Sequence, residues 1–148
     1  MKYRPRNPRV CLLRTAVAAV AMALIIPLAA CGDDDAASGP KIDVTFKEWS
    51  IGTSAPSVAA GAVTFVVKNN GKEEHEFILL KTDLAPDKLE VVNSKVDEDK
   101  FESPGEVEEV APSKTKSGSF TLKPGHYLLI CNLPTHYEQG MRAEFTVK

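Results

Sequence analysis

Residues 126–148 read HYLLICNLPTHYEQGMRAEFTVK. The runs at its two ends, His126–Cys131 (HYLLIC) and Arg142–Lys148 (RAEFTVK), are short and rich in aliphatic and aromatic residues, as paired β-strands are. Pro134 and Gly140 interrupt the stretch between them, which reads as a loop. Working outward, the same period of two recurs. Ile42, Val44 and Phe46 alternate with polar partners, Val63, Phe65 and Val67 alternate with Ala62, Thr64 and Val66, and further runs are Glu76–Lys81 (EFILLK) and Thr115–Leu122 (TKSGSFTL). Turn signals stand between them at Ala60-Gly61, Asn69-Asn70-Gly71, Pro104-Gly105 and Pro124-Gly125. About seven short strands at such spacing predict an all-β, Greek-key β-sandwich over Lys41–Lys148. The exception is Thr82–Asp97, where Asp83 is placed to cap a helix through Leu84, Leu89 and Val92, so one short helical excursion is expected there.

The loop carries the chemistry. Cys131, His136 and Met141 follow one another at intervals of five residues, so a loop folded back on itself brings a thiolate, an imidazole and a thioether to one point. These soft and borderline donors suit copper, with a weak axial Met beside a His, His, Cys plane. A second imidazole must come from elsewhere, and His75 supplies it at the start of the EFILL strand. Zinc also takes Cys and His, but a thioether is a poor zinc ligand and a structural zinc site calls for a fourth strong donor. Cys131 shares strand parity with Leu129 and Tyr127 and faces the core with them. His126, an odd offset from Cys131, falls on the other face and reads as a structural or surface histidine, not a ligand.

Lys68-Asn69-Asn70-Gly71 followed by His75-Glu76-Phe77, and Pro124-Gly125-His126-Tyr127-Leu128-Leu129-Ile130-Cys131-Asn132-Leu133-Pro134-Thr135-His136 through Gly140-Met141, resemble the cupredoxins, the small blue-copper family of plastocyanin, azurin and rusticyanin. The likeness covers essentially all of Lys41–Lys148. It implies one type 1 copper, cycling between Cu(I) and Cu(II), with His75 and His136 as imidazole ligands, Cys131 as the thiolate and Met141 as the long axial ligand. Glu76 departs from it, because several relatives have an Asn beside the first histidine that ties the two ligand loops. The Glu76 backbone N–H can still donate to the Cys131 sulfur, but that side-chain brace does not carry over.

The front of the chain is of another kind. Lys2, Arg4, Arg6, Arg9 and Arg14 precede Thr15–Ala30, TAVAAVAMALIIPLAA, an uncharged run that is too short and alanine-rich for a permanent span. A basic start, an apolar run and small residues at its end form an export signal over residues 1–30. Leu28-Ala29-Ala30-Cys31 resembles the bacterial lipobox, which implies a lipid on Cys31 as the first mature residue. Residues 31–40, acidic and rich in small residues, read as a flexible tether to the domain at residues 41–148. The full chain has 18 basic and 20 acidic residues; without its first 30 residues, which hold five of the basic and none of the acidic ones, it is distinctly acidic. An acidic surface excludes nucleic acid as a partner. Of three cysteines, Cys11 leaves with the signal and Cys31 takes lipid, so Cys131 stands alone in the domain and no disulfide can form there.

No Ser/His/Asp arrangement, pair of carboxylates in a cleft or Gly-rich phosphate loop stands in the sequence, and a copper with a filled ligand set has no position for substrate, so no enzyme is expected. The expected function is a monomeric electron carrier, held by its lipid on the outer face of the cytoplasmic membrane or in the periplasm. It would move single electrons between redox proteins such as cytochrome or oxidase subunits. Leu133, Pro134 and Tyr137 would frame the edge of His136 as an apolar docking patch. The other reading is a copper delivery or storage protein without redox turnover. Asp97–Glu109 carries seven acidic residues and is either a solvated loop or a patch that steers a cationic partner.

Overall fold

A computed structural model describes residues 39–148. The export segment at residues 1–30, Cys31 and the tether up to residue 38 lie outside the described residues. Among the described residues the strands are β1 (Lys41–Lys47), β2 (Ser50–Thr53), β3 (Ser57–Val58), β4 (Gly61–Asn69), β5 (His75–Lys81), β6 (Val91–Val92), β7 (Lys95–Val96), β8 (Glu102–Val110), β9 (Thr115–Leu122), β10 (Gly125–Ile130) and β11 (Arg142–Val147). A single helical turn, α1 (His136–Gln139), lies between β10 and β11, and a 3-10 turn spans Glu98–Lys100. The first sheet has the order β2-β1-β4-β9 and the second β3-β11-β10-β5-β8, while β6 and β7 form a separate two-stranded ribbon.

Alternation explains how the two sheets pack. Ile42, Val44, Phe46, Val63, Phe65 and Val67 of the first sheet are all buried, against Phe77, Leu79, Tyr127, Leu129 and Phe145 of the second. Phe65 lies at the centre, its ring centroid 5.0 Å from Phe77 and 5.6 Å from Phe145. Burying an aromatic ring contributes about 3–5 kcal/mol, judged by the cost of removing it, so this cluster dominates the packing of sheet on sheet.

The other face of the second sheet departs from the period of two. In β5 and β10 the outward residues Ile78, Leu80, Leu128 and Ile130 are also buried, under Leu89, Val96 and Tyr137. What covers them is the excursion at residues 82–101, and the helix expected over Thr82–Asp97 does not form. Asn93 and Ser94 adopt φ of 51° and 65°, the two consecutive left-handed residues of a tight hairpin turn, and so fold Val91–Val96 into the β6-β7 ribbon. Leu89 and Val96 point inward while Leu84 and Val92 stay exposed, so the three apolar positions of the expected helix do not share a buried face. The acidic stretch is not a plain loop either. Much of it is β8, the edge of the second sheet, where exposed charge discourages pairing with another chain.

Two pairings decide what meets at one end of the sandwich. The parallel register of β1 on β4 runs to Phe46 opposite Asn69, and the Asn70 N–H donates to the Phe46 carbonyl at 2.9 Å. The β1-β2 turn is thereby brought beside the turn that delivers His75. On the second sheet, β10 pairs with β5 up to Ile130 opposite Ile78, which carries Cys131 to the start of β5.

Candidate metal centre

Asn69 shapes the turn that presents His75. Fully buried, it donates through Nδ2 to the carbonyls of Glu73 and Val110, both at 2.7 Å, and accepts the Gly71 N–H at Oδ1 at 2.8 Å. One side chain thus satisfies backbone groups of an irregular turn and, at the buried Val110 carbonyl, ties that turn to β8.

The Cys131–Met141 loop closes on itself. The Cys131 N–H donates to the Met141 carbonyl and the Met141 N–H to the His136 carbonyl, each at 3.1 Å. Gly140 has φ of 120° and a Cβ there would lie 3.0 Å from the Trp49 carbonyl, so both backbone and space call for glycine. On the outer side Asn132 pairs with Val96, accepting its N–H at 2.7 Å and donating to its carbonyl at 2.9 Å. The Tyr137 hydroxyl donates to the Pro86 carbonyl at 2.6 Å and accepts the Leu89 N–H at 3.0 Å. The excursion therefore grips the loop at two side chains.

These devices bring three of the four expected donors together. His75 Nδ1 and His136 Nδ1 lie 3.2 Å apart, and the Cys131 Sγ is 3.9 Å from the first and 3.3 Å from the second. All three residues are buried. Met141 is fully buried in the same core cluster as Cys131. His126 stands apart, its Nδ1 2.7 Å from the Thr82 carbonyl. The Glu76 N–H approaches the Cys131 Sγ at 3.4 Å, as its place in the sequence allows. Tyr137 does not frame a surface patch: it is buried, because its ring fills the space under the excursion.

Burial sets the electrostatics. It pushes the Cys131 thiol up to about 11, against the pull of the Glu76 and Leu133 N–H groups. It also lowers both histidines, helped at His75 by the neighbouring His136. The resting cluster at neutral pH is thus a thiol and two neutral imidazoles, with the Cys131 Sγ and both Nδ1 atoms crowded into one dry space. A soft cation that displaces the thiol proton would satisfy all three, and the nearest carboxylates, Glu48 and Glu73, face the outer Nε2 atoms instead. The donor set fits copper.

Glu48 and Trp49 were not legible as site residues. Glu48 Oε1 is 3.5 Å from His75 Nε2, and the Glu73 N–H and then the Lys72 N–H hold its carboxyl down at about 2. The Trp49 ring stands edge-on to His136 with centroids 4.9 Å apart. Both reach the centre through the parallel pairing of β1 with β4, a long-range register that no local pattern announces.

A family model, the cupredoxin-like domain, matches residues 17–147. The chain belongs to the cupredoxin-like family. Solved structures agree on the fold. Auracyanin from Roseiflexus castenholzii is 20% identical with a TM-score of 0.53, over 75% of this chain and 97% of its own. Auracyanin A, a "blue" copper protein from Chloroflexus aurantiacus, is 23% identical with a TM-score of 0.53, over 74% of this chain and 100% of its own. Rusticyanin from Thiobacillus ferrooxidans is 18% identical with a TM-score of 0.55, over 73% of this chain and 76% of its own. No curated protein matches the sequence. This cupredoxin-like chain has no helix among its described residues that is long and apolar enough to cross a membrane.

Proposed function

We propose that this cupredoxin-like protein is a type 1 copper protein that carries single electrons outside the cytoplasm. His75, Cys131 and His136 would hold the metal, with Met141 as the weak axial ligand. The observation that carries this reading is the convergence of one thiol and two imidazole nitrogens in a buried space at the end of the sandwich. A copper ion bound there supplies one-electron chemistry through its Cu(I) and Cu(II) states.

The chain's own residues do the rest. The two sheets and the Asn69 and Asn132 hydrogen bonds hold the donors in one arrangement, which a carrier needs if both oxidation states are to be met with little movement. Burial of Cys131 and Met141 excludes water and competing thiol chemistry. It also opposes handing the metal to another protein, which favours electron carriage over delivery. His136, 7% exposed and beside Trp49, is the donor nearest solvent, and Leu133 and Pro134 lie on the same loop as the outward contact for a redox partner such as a cytochrome or oxidase subunit.

The same reading assigns residues 1–30 to export, residues 31–40 to a tether and residues 41–148 to the domain, with a lipid on Cys31. Purified protein titrated with Cu(II) is expected to turn intensely blue or green at one copper per chain, and Cys131→Ser to stay colourless while folded. A colourless wild type overturns the reading. In cells, Cys31→Ser is expected to move the protein from the membrane fraction to the soluble fraction, and an unmodified mature N-terminus located elsewhere by mass spectrometry overturns the anchor.

A further inference from the structure

Glu48 lies outside the donor set, in the turn between β1 and β2, yet three groups meet at one of its oxygens. Oε1 accepts the backbone N–H groups of Lys72 at 2.5 Å and Glu73 at 3.0 Å, and the same oxygen faces His75 Nε2 at 3.5 Å. That nitrogen is buried and has no partner of hydrogen-bond geometry among the described residues. The approach is built in. A Cβ on Gly71 would overlap the Glu48 carboxylate, so glycine at that point of the turn admits the side chain.

The chemistry follows from the inventory of donors. A neutral imidazole has one N–H, and its place is set by what the other nitrogen and its neighbours offer. A carboxylate only accepts. It favours the proton on Nε2 and disfavours a lone pair there, which leaves the Nδ1 lone pair directed at Cys131 and His136. His136 offers the contrast: its Nε2 faces Glu73 Oε2 at 3.6 Å, but the Glu73 side chain is 55% exposed, against 26% for Glu48. Solvent screens the second contact more than the first.

We propose that Glu48 is a positioning residue, which fixes His75 in the tautomer that presents Nδ1 to the metal while pinning the Lys72-Glu73 backbone that leads into it. The metal half of this rests on the copper reading above; the tautomer half does not. A carboxylate behind a ligating histidine raises the basicity of that ligand and fixes its ring, and its loss typically costs about 10- to 100-fold in metal affinity.

The test uses long-range proton–nitrogen NMR correlations of His75 in the metal-free protein, and Cu(II) titration of the same samples, for wild type, Glu48→Ala and Glu48→Gln. The wild type is expected in the Nε2–H tautomer. Glu48→Ala is expected to give mixed tautomers and a copper affinity about 10- to 100-fold weaker, and Glu48→Gln, whose amide oxygen still accepts, to restore the wild-type tautomer and most of the affinity. A purely structural role would lower the thermal midpoint of Glu48→Ala without moving the tautomer. A folded Glu48→Ala with the wild-type tautomer and an affinity within about twofold overturns the proposal. If the alanine variant does not fold, an Nδ1–H tautomer in wild type overturns it, and an Nε2–H tautomer shared by wild type and Glu48→Gln supports it. A wild type that binds no Cu(II) refutes the copper reading, and the tautomers still decide the role of Glu48.

Discussion

The second sheet buries apolar residues on both faces, and the two faces are built differently. On the face toward the first sheet, Phe77, Leu79, Tyr127, Leu129 and Phe145 meet the alternating residues of a regular partner. On the face under residues 82–101, Ile78, Leu80, Leu128 and Ile130 meet an irregular segment that contributes Leu89 and Val96, along with Tyr137 from the Cys131–Met141 loop. The first face holds the molecule together. The second does something more specific, because the segment that covers it also hydrogen-bonds to Asn132 and Tyr137 and so fixes the loop that carries Cys131, His136 and Met141. A single sheet thus separates the bulk of the packing, which includes Cys131 and Met141, from the grip on the outer side of their loop.

The largest effect should come from the first face. Phe65→Ala removes a ring packed against Phe77 and Phe145 and is expected to lower unfolding stability by about 3–5 kcal/mol in urea titrations of the metal-free protein. The visible spectrum of the copper-loaded, folded variant should match the wild type. A shifted spectrum would break the separation, since it would mean that the sandwich core sets the site geometry directly.

The contrast between faces also explains what could be read from the sequence. The sandwich was legible because β1 and β4 alternate cleanly, and the meeting of His75, Cys131 and His136 was legible because two of them lie on one loop and the third opens a strand. The form of the excursion was not. Leu84, Leu89 and Val92 suggest helical spacing, but Asn93-Ser94 forms a hairpin turn and the burial of Ile78 and Leu80 asks only for a cover, which any local structure with two inward residues can supply. Tyr137 is buried and not a surface residue for the same reason: its hydroxyl partners, Pro86 and Leu89, lie in a segment whose path local spacing does not encode. Glu48 and Trp49 depend on strand register, which local spacing does not encode.

Asn132 tests the second face. Its amide satisfies both the N–H and the carbonyl of Val96 and also donates to Glu98 Oε1 at 2.6 Å, while only 1% exposed. Asn132→Leu leaves those Val96 groups unpaired in a buried place and is expected to cost about 1–3 kcal/mol in unfolding stability. Unlike Phe65→Ala it should also disturb the centre, weakening copper binding by roughly 10-fold, because the residue adjoins Cys131. Equal copper affinity in a competition titration would show that the excursion covers the sheet without steering the loop, and the two faces would then differ only in appearance.

The smallest effect belongs to the surface ion pairs outside both faces. Lys100 reaches Glu90 and Lys123 reaches Glu102, each at 2.7 Å between exposed side chains. These hydrogen bonds, and then the charge itself, lower the two carboxyls and raise the two lysines. Because the folded carboxyls lie below 4.5, their contribution is present above that value and fades as pH falls through the folded value. Because the folded lysines lie above 10.5, theirs is present below that value and fades as pH rises through the folded value. Between these limits the pairs are fully charged, yet exposed pairs are weak and screened. Glu102→Gln is therefore expected to shift the urea midpoint slightly at pH 7, and not at all in 1 M salt, where the screening length is about 3 Å. A shift that survives high salt would mean that the Lys123 stem packs on the sheet and that the edge strand β8 adds to the stability assigned above to the faces alone.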